Sequence, residues 1–140
     1  MRYLVIVIMG ALLFGCQTGP SEARPELIEW LTDLNAAQTI ALQQSKPIMI
    51  DFYTSWCGWC KKLDEDTYAD KKVAEVAKDF VCVKIDGDKN QALTKEYRVQ
   101  GYPTIAFLKP DGTLIDSIPG YQPPEQFLEL LKEMKVKAGQ

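Results

Sequence analysis

The sequence predicts an α/β fold in which a mixed central sheet carries helices on both faces. Three observations support this. The unbroken apolar run Ile48-Met49-Ile50-Asp51-Phe52-Tyr53 has the length and β-branching of a strand buried on both sides. Runs of this kind alternate with stretches of helical spacing, the order expected of strands joined by helical crossovers. Near the end, Pro110-Asp111-Gly112 marks a turn between two extended segments, so the sheet closes on an antiparallel hairpin.

The elements follow in order. Residues 27–31 are apolar enough for a first short strand. Asn35 is placed to cap a helix with Ala37, Ile40 and Ala41 inward, and Lys46-Pro47 ends it because proline pushes the residue before it out of helical geometry. After the strand at 48–53, a helical stretch is expected over residues 59–65, and Asp70 caps a second one carrying Val73, Val76 and Ala77. A strand is expected at 80–86, a helix at 90–97, and the hairpin strands at 104–108 and 113–118. Pro123 and Pro124 open a last helix with Phe127, Leu128, Leu130, Leu131 and Met134 on its apolar face. Taking the two helical stretches of 59–77 together, the order is βαβαβαββα.

Composition narrows the chemistry. The 140 residues are 46% hydrophobic and 25% charged, the balance of one globular domain rather than a disordered tail or a multispan membrane protein. A formal charge of −3 gives no basic footprint for nucleic acid. There is no histidine, which excludes Cys-His and Ser-His nucleophile pairs and every histidine metal ligand. Any reaction must then rest on Cys, Asp, Glu, Lys or Tyr.

The cysteines are Cys16, Cys57, Cys60 and Cys82. Cys16 ends an N-terminal address: Arg2 precedes an apolar run over residues 3–14, which reads as a secretory signal too short to span a bilayer comfortably. Leu13-Phe14-Gly15-Cys16 resembles the lipobox of bacterial lipoproteins, with Phe14 larger than that slot usually holds. The resemblance implies lipidation of Cys16, the plainer alternative being an ordinary signal or short anchor with an incidental cysteine. The expected organisation is a signal peptide at 1–15, a lipid-anchored tether at 16–26, one domain at 27–136 and a tail at 137–140. The domain is thereby placed outside the cytoplasm, facing the periplasm, and Gln17 resembles the outer-membrane sorting pattern.

Cys57-Gly58-Trp59-Cys60 falls where a buried strand ends and a helix begins. Unpaired backbone N–H groups there favour a thiolate on the first cysteine, and the second lies one turn on, within reach to close a disulfide. This points to thiol–disulfide exchange with Cys57 as nucleophile and Cys60 as resolving thiol. Half a zinc site is disfavoured because no histidine or second CxxC supplies further ligands, and a purely structural disulfide over so small a loop constrains the chain little. Asp51, a carboxylate inside a buried strand, needs a task or a partner.

The segment from Asp51 to Lys62 resembles the active-site segment of the thioredoxin superfamily, and Gly101-Tyr102-Pro103-Thr104 resembles its cis-proline loop. Lys46-Pro47 and Asp70 are more similar to the thioredoxin-like C-terminal domain of the bacterial thiol:disulfide interchange protein. The resemblance implies a thioredoxin-like fold, with Asp51 as the buried acid that exchanges a proton with Cys60. The alternative is an acid at the strand end reaching solvent. It implies a cis bond before Pro103 that exposes the Tyr102 backbone to a substrate strand, against an ordinary trans proline. Trp56, Gly58 and Trp59 would complete the substrate rim, core packing being the alternative for Trp56. Two departures stand out: Gly58-Trp59 replaces the Gly-Pro of thioredoxin, and Cys82 is expected near the position of a lysine that thioredoxins place close to the acid. Cys82 itself reads as a small buried hydrophobe, a third redox thiol being the alternative.

The expected activity is therefore that of a membrane-tethered reductase, without cofactor or metal, acting as a monomer. Its partners would be a disulfide-bearing protein substrate, a membrane thiol–disulfide electron donor and the membrane, reached through a lipid anchor, with no role for nucleic acid. A disulfide oxidase or isomerase, or a binding module without turnover, are the alternatives.

Overall fold

The computed structural model describes residues 26–140; the proposed signal, Cys16 and nearly all of the tether lie outside them. The chain runs α1 (Leu34–Gln44), β1 (Ile48–Tyr53), α2 (Gly58–Lys62), α3 (Lys71–Ala77), β2 (Val81–Asp86), α4 (Gln91–Glu96), β3 (Thr104–Leu108), β4 (Leu114–Pro119) and α5 (Pro124–Lys137). The sheet has the order β2-β1-β3-β4, with β1 and β2 parallel and the other pairs antiparallel. It is the mixed sheet expected.

The period-two alternation of β1 builds both cores at once. Ile48, Ile50 and Phe52 pack with Leu34, Ala37 and Ala41 of α1 and with half-buried Leu93 of α4. Met49 faces the other way, into a core made by Val73, Ala74 and Ala77 of α3 and Phe127, Leu131 and Met134 of α5. Each fully buried phenylalanine, Phe52, Phe107 or Phe127, contributes roughly 1.5–3 kcal/mol through burial. Helices thus cover both faces because β1 has no solvent face.

Two local expectations are corrected. Residues 27–31 do not form a strand. Only Leu31 pairs, bridging Val83, with its N–H donating to Cys82 O at 2.9 Å and its carbonyl accepting from Lys84 N at 2.8 Å. Ile28 turns into the core, Trp30 leans on the Tyr68 ring at 4.9 Å, and α1 begins at Leu34, so no room is left for a longer ladder. The cap of α1 is Asp33 rather than Asn35: its carboxylate accepts from Asn35 N at 2.8 Å and Ala36 N at 3.1 Å. Asp70 caps α3 as expected, through Lys72 N and Val73 N.

Between α2 and α3 the helix widens into a π-helical turn, Leu63–Thr67. That turn buries Leu63 and Thr67 and sends Asp64, Glu65 and Asp66 outward, and the Thr67 hydroxyl donates to Gln122 O at 2.6 Å. The hairpin turn closes at Gly112, whose φ of +87° suits glycine.

Topology gathers one end of the sheet. The carboxyl end of β1 leads to Cys57. Because β3 runs antiparallel, its first residues start beside that end, Phe52 opposite Thr104. The parallel β2 ends there as well, Tyr53 opposite Asp86, and Gly120 N–H donates to Pro103 O at 2.8 Å. Strand ends and loops from four segments converge where ligand sites of α/β sheets form.

Candidate active site

Cys57 and Cys60 are joined by a disulfide with Cα atoms 5.3 Å apart. Cys57 is the N-cap of α2, in extended conformation, and its Sγ accepts a hydrogen bond from Cys60 N at 3.0 Å. A backbone donor aimed at the sulfur stabilises a thiolate relative to a thiol. The loop holds this geometry through Cys57 N donating to Thr54 O at 3.3 Å and Lys61 N donating to Cys57 O at 3.2 Å. Both cysteines are nearly covered, 5% and 4% exposed.

Asp51 is 1% exposed, and its Oδ1 has no hydrogen-bond partner of ordinary geometry. Burial pushes its carboxyl up to about 7; nearby Lys84 holds the rise back, and Asp64 adds to it. The reading of Asp51 as a strand-end acid reaching solvent is thereby excluded. Lys84 is the register partner of Asp51 across the parallel pair. Its ammonium meets Asp64 at 2.5 Å and lies 5.3, 5.5 and 5.7 Å from the rings of Trp30, Tyr53 and Tyr68. The Tyr68 hydroxyl is also buried, and loss of its proton is opposed by burial first and by Asp51 next.

Across the parallel pair the acid has a lysine beside it, Lys84, while Cys82 lies opposite Met49, two residues earlier. The local signal was present, a cation inside the run at 80–86, but the register across the pair decides its partner. Cys82 is free and 4% exposed, as a buried hydrophobe should be, and burial pushes its thiol up to about 12.

Around the disulfide lies an aromatic rim. Trp56 is 67% exposed and Trp59 60%, so neither is a core residue. The Trp56 indole N–H donates to Asp88 Oδ2 at 2.8 Å, and its ring meets Tyr102 edge-on at 6.0 Å. The Tyr102–Pro103 bond is cis. The Tyr102 ring rests directly on Gly87, where any Cβ would fall within the ring. Gly58 has open space around it. Trp59 packs on Tyr121 at 5.6 Å, a residue that the sequence pattern did not single out. Among the described residues no three His, Cys, Asp or Glu side chains are grouped to hold a metal, and no helix is long and apolar enough to cross a membrane.

This sheet, with a cysteine pair opening a helix at its carboxyl end, is the thioredoxin fold, and the chain is a thiol–disulfide oxidoreductase. Residues 34–135 match the family described as the thioredoxin-like domain, and the chain belongs to that family. It is 33% identical over 124 residues to the thiol:disulfide interchange protein DsbD of Vibrio vulnificus, covering 84% of this chain and 21% of that one. The chain thus spans about a fifth of that relative's length. Among solved structures it is similar to a thioredoxin from Thermus thermophilus (TM-score 0.73, 26% identity, 80% of this chain and 90% of the other). It is also similar to the oxidised C-terminal domain of Neisseria meningitidis DsbD (TM-score 0.66, 29% identity, 75% and 98%). The resemblance to that C-terminal domain, expected from Lys46-Pro47 and Asp70, holds.

Proposed function

We propose that the chain is a membrane-tethered reductase of extracytoplasmic protein disulfides, with Cys57 as nucleophile and Cys60 as resolving thiol. The observation that carries this reading is the hydrogen bond from Cys60 N–H to Cys57 Sγ, which favours negative charge on the first sulfur. In the reduced state, the Cys57 thiolate attacks one sulfur of the substrate disulfide. The substrate S–S bond breaks, and its departing sulfur leaves with the electron pair and takes up a proton. Cys60, deprotonated, then attacks Cys57 Sγ, releasing the second substrate thiolate and closing the Cys57–Cys60 disulfide. Two electrons have passed to the substrate; its first sulfur takes a proton from solvent and its second takes up the one given up by Cys60.

Asp51 is the acceptor for the Cys60 proton in this scheme; a carboxyl titrating near 7 can both take and return one at neutral pH. Trp56, Gly58 and Trp59 form the contact surface, and the backbone at Tyr102-Pro103 pairs with an extended substrate segment. Each further turnover needs two electrons from outside the chain. The similarity to one fifth of an interchange protein supports a separate membrane thiol–disulfide protein as donor. The apolar run ending in Cys16 supports export and lipid anchoring, with Gln17 favouring the outer membrane.

The test is Cys60→Ser in cells. It is expected to accumulate mixed disulfides through Cys57, recovered with the membrane fraction and released by dithiothreitol. Absence of any such adduct would refute the roles of the two cysteines. Equilibration of the purified dithiol with glutathione checks direction: a potential near the roughly −120 mV of a strong oxidant overturns the reductase reading, and one near about −270 mV upholds it.

A further inference from the structure

The two exposed tryptophans that flank Cys57 are held differently. On one side, Trp56 has its indole N–H tied to the Asp88 carboxylate. On the other, Trp59 is held by a ring partner, Tyr121, contributed by the loop after β4. Tyr121 is itself fixed at both ends. Its hydroxyl donates to Asp66 Oδ2 at 3.0 Å; the same oxygen meets Lys62 Nζ at 2.6 Å, and that ammonium lies 5.4 Å from the Tyr121 ring centre. Segments about sixty residues apart, α2 with its π turn and the loop before α5, are thus locked together behind one exposed indole.

A large indole 60% exposed next to a reactive disulfide is an apolar surface kept uncovered, and such surfaces mark contact sites. Tyr121 backs the Trp59 ring at 5.6 Å while that ring stays 60% exposed. We infer that Tyr121 is a specificity-determining residue: with Trp59 it forms an apolar wall that selects protein disulfides whose reacting cysteine has a bulky apolar neighbour. The occupant is an extended segment of a disulfide-bearing protein, because the wall borders the Cys57–Cys60 pair itself. A negatively charged neighbour gains nothing from this apolar wall. The inference rests on the proposed reductase reading and refines its substrate class.

The test uses two disulfide-linked peptides that differ only in the residue beside the cysteine, Phe or Asp, and reads the ratio of their kcat/KM values. Wild type is expected to favour the Phe peptide. Tyr121→Ala should lower that ratio by roughly threefold to tenfold, the worth of an aromatic pair, whereas Tyr121→Phe keeps most of it. Trp59→Ala should lower the ratio as far, with no further fall in the double variant, and it reads the same wall should Tyr121→Ala fail to fold. An unchanged ratio in Tyr121→Ala overturns the inference, whatever happens to the absolute rates. So does a Tyr121→Phe ratio as low as that of Tyr121→Ala. A wild-type ratio near one sinks the inference alone, while failure of wild type to reduce either peptide sinks the reductase reading.

Discussion

Cys57 and Cys82 are equally hidden, 5% and 4% exposed, yet they sit in opposite backbone settings. The Cys57 sulfur faces an N–H, that of Cys60 at 3.0 Å. The Cys82 sulfur faces carbonyl oxygens, those of Ala77 at 3.6 Å and Phe80 at 3.9 Å. A donor favours the thiolate and an acceptor the thiol, so coverage alone says little about reactivity. The difference follows from position along the sheet. Cys57 lies where β1 has ended and α2 has not yet used its amides, whereas Cys82 lies within β2, where its sulfur meets carbonyl oxygens of the preceding turn.

The sharpest way to break this contrast is to remove each sulfur in turn. Cys57→Ser should abolish reduction of a protein disulfide, a loss of several orders of magnitude as for other single nucleophiles. Full activity in an insulin-type turbidity assay would contradict the mechanism.

Asp51→Asn comes next, with an expected fall in turnover on the order of a hundredfold, the scale of a lost proton carrier. Its stability should move the other way. The Asp51 carboxyl titrates at about 7 folded against 3.8 ordinarily, so the folded chain binds this proton more tightly. Below pH 3.8 the acid is protonated in both states and the two proteins match on this account. From there stability is lost as pH rises to about 7, and above it the full penalty stands, about 4 kcal/mol. Denaturant unfolding of Asp51→Asn at pH 8 should therefore show a more stable protein, the gap closing at pH 4. A gap that does not vary with pH would deny the buried titration.

The smallest effect belongs to Cys82. With its thiol near 12, roughly one molecule in 10⁵ carries a thiolate there at pH 7, and coverage slows attack further. In the reduced native protein, alkylation followed by mass spectrometry should label Cys57 and spare Cys82. Cys82→Ala should cost about 1 kcal/mol of stability through a small cavity and leave turnover within about twofold. Rapid labelling of Cys82 would overturn the comparison.

Much of this was legible locally. The strands, the hairpin turn at Asp111-Gly112, the Asp70 cap and the Cys57 and Pro103 motifs are written in neighbouring residues, where periodicity and proline chemistry act. The missing parts depend on distant ones. Apolar residues at 27–31 look like a strand until Asp33, two positions on, starts a helix and leaves a single bridge. Lys84 becomes the neighbour of Asp51 only through a pairing 33 positions apart, which no window of the sequence displays. Tyr121 joins Trp59 in the same manner, by packing and not by pattern.

The bridge at Leu31 bears on how this sheet meets other chains. β2 is an outer strand, and an outer strand offers its free backbone groups as a template for pairing with a neighbouring molecule. Here the carbonyl of Cys82 and the N–H of Lys84, at the middle of that margin, are already taken by Leu31. An incoming strand would have to displace the bridge before it could lie in register. One residue, too few to count as a strand, thus guards this margin of the sheet against pairing in register.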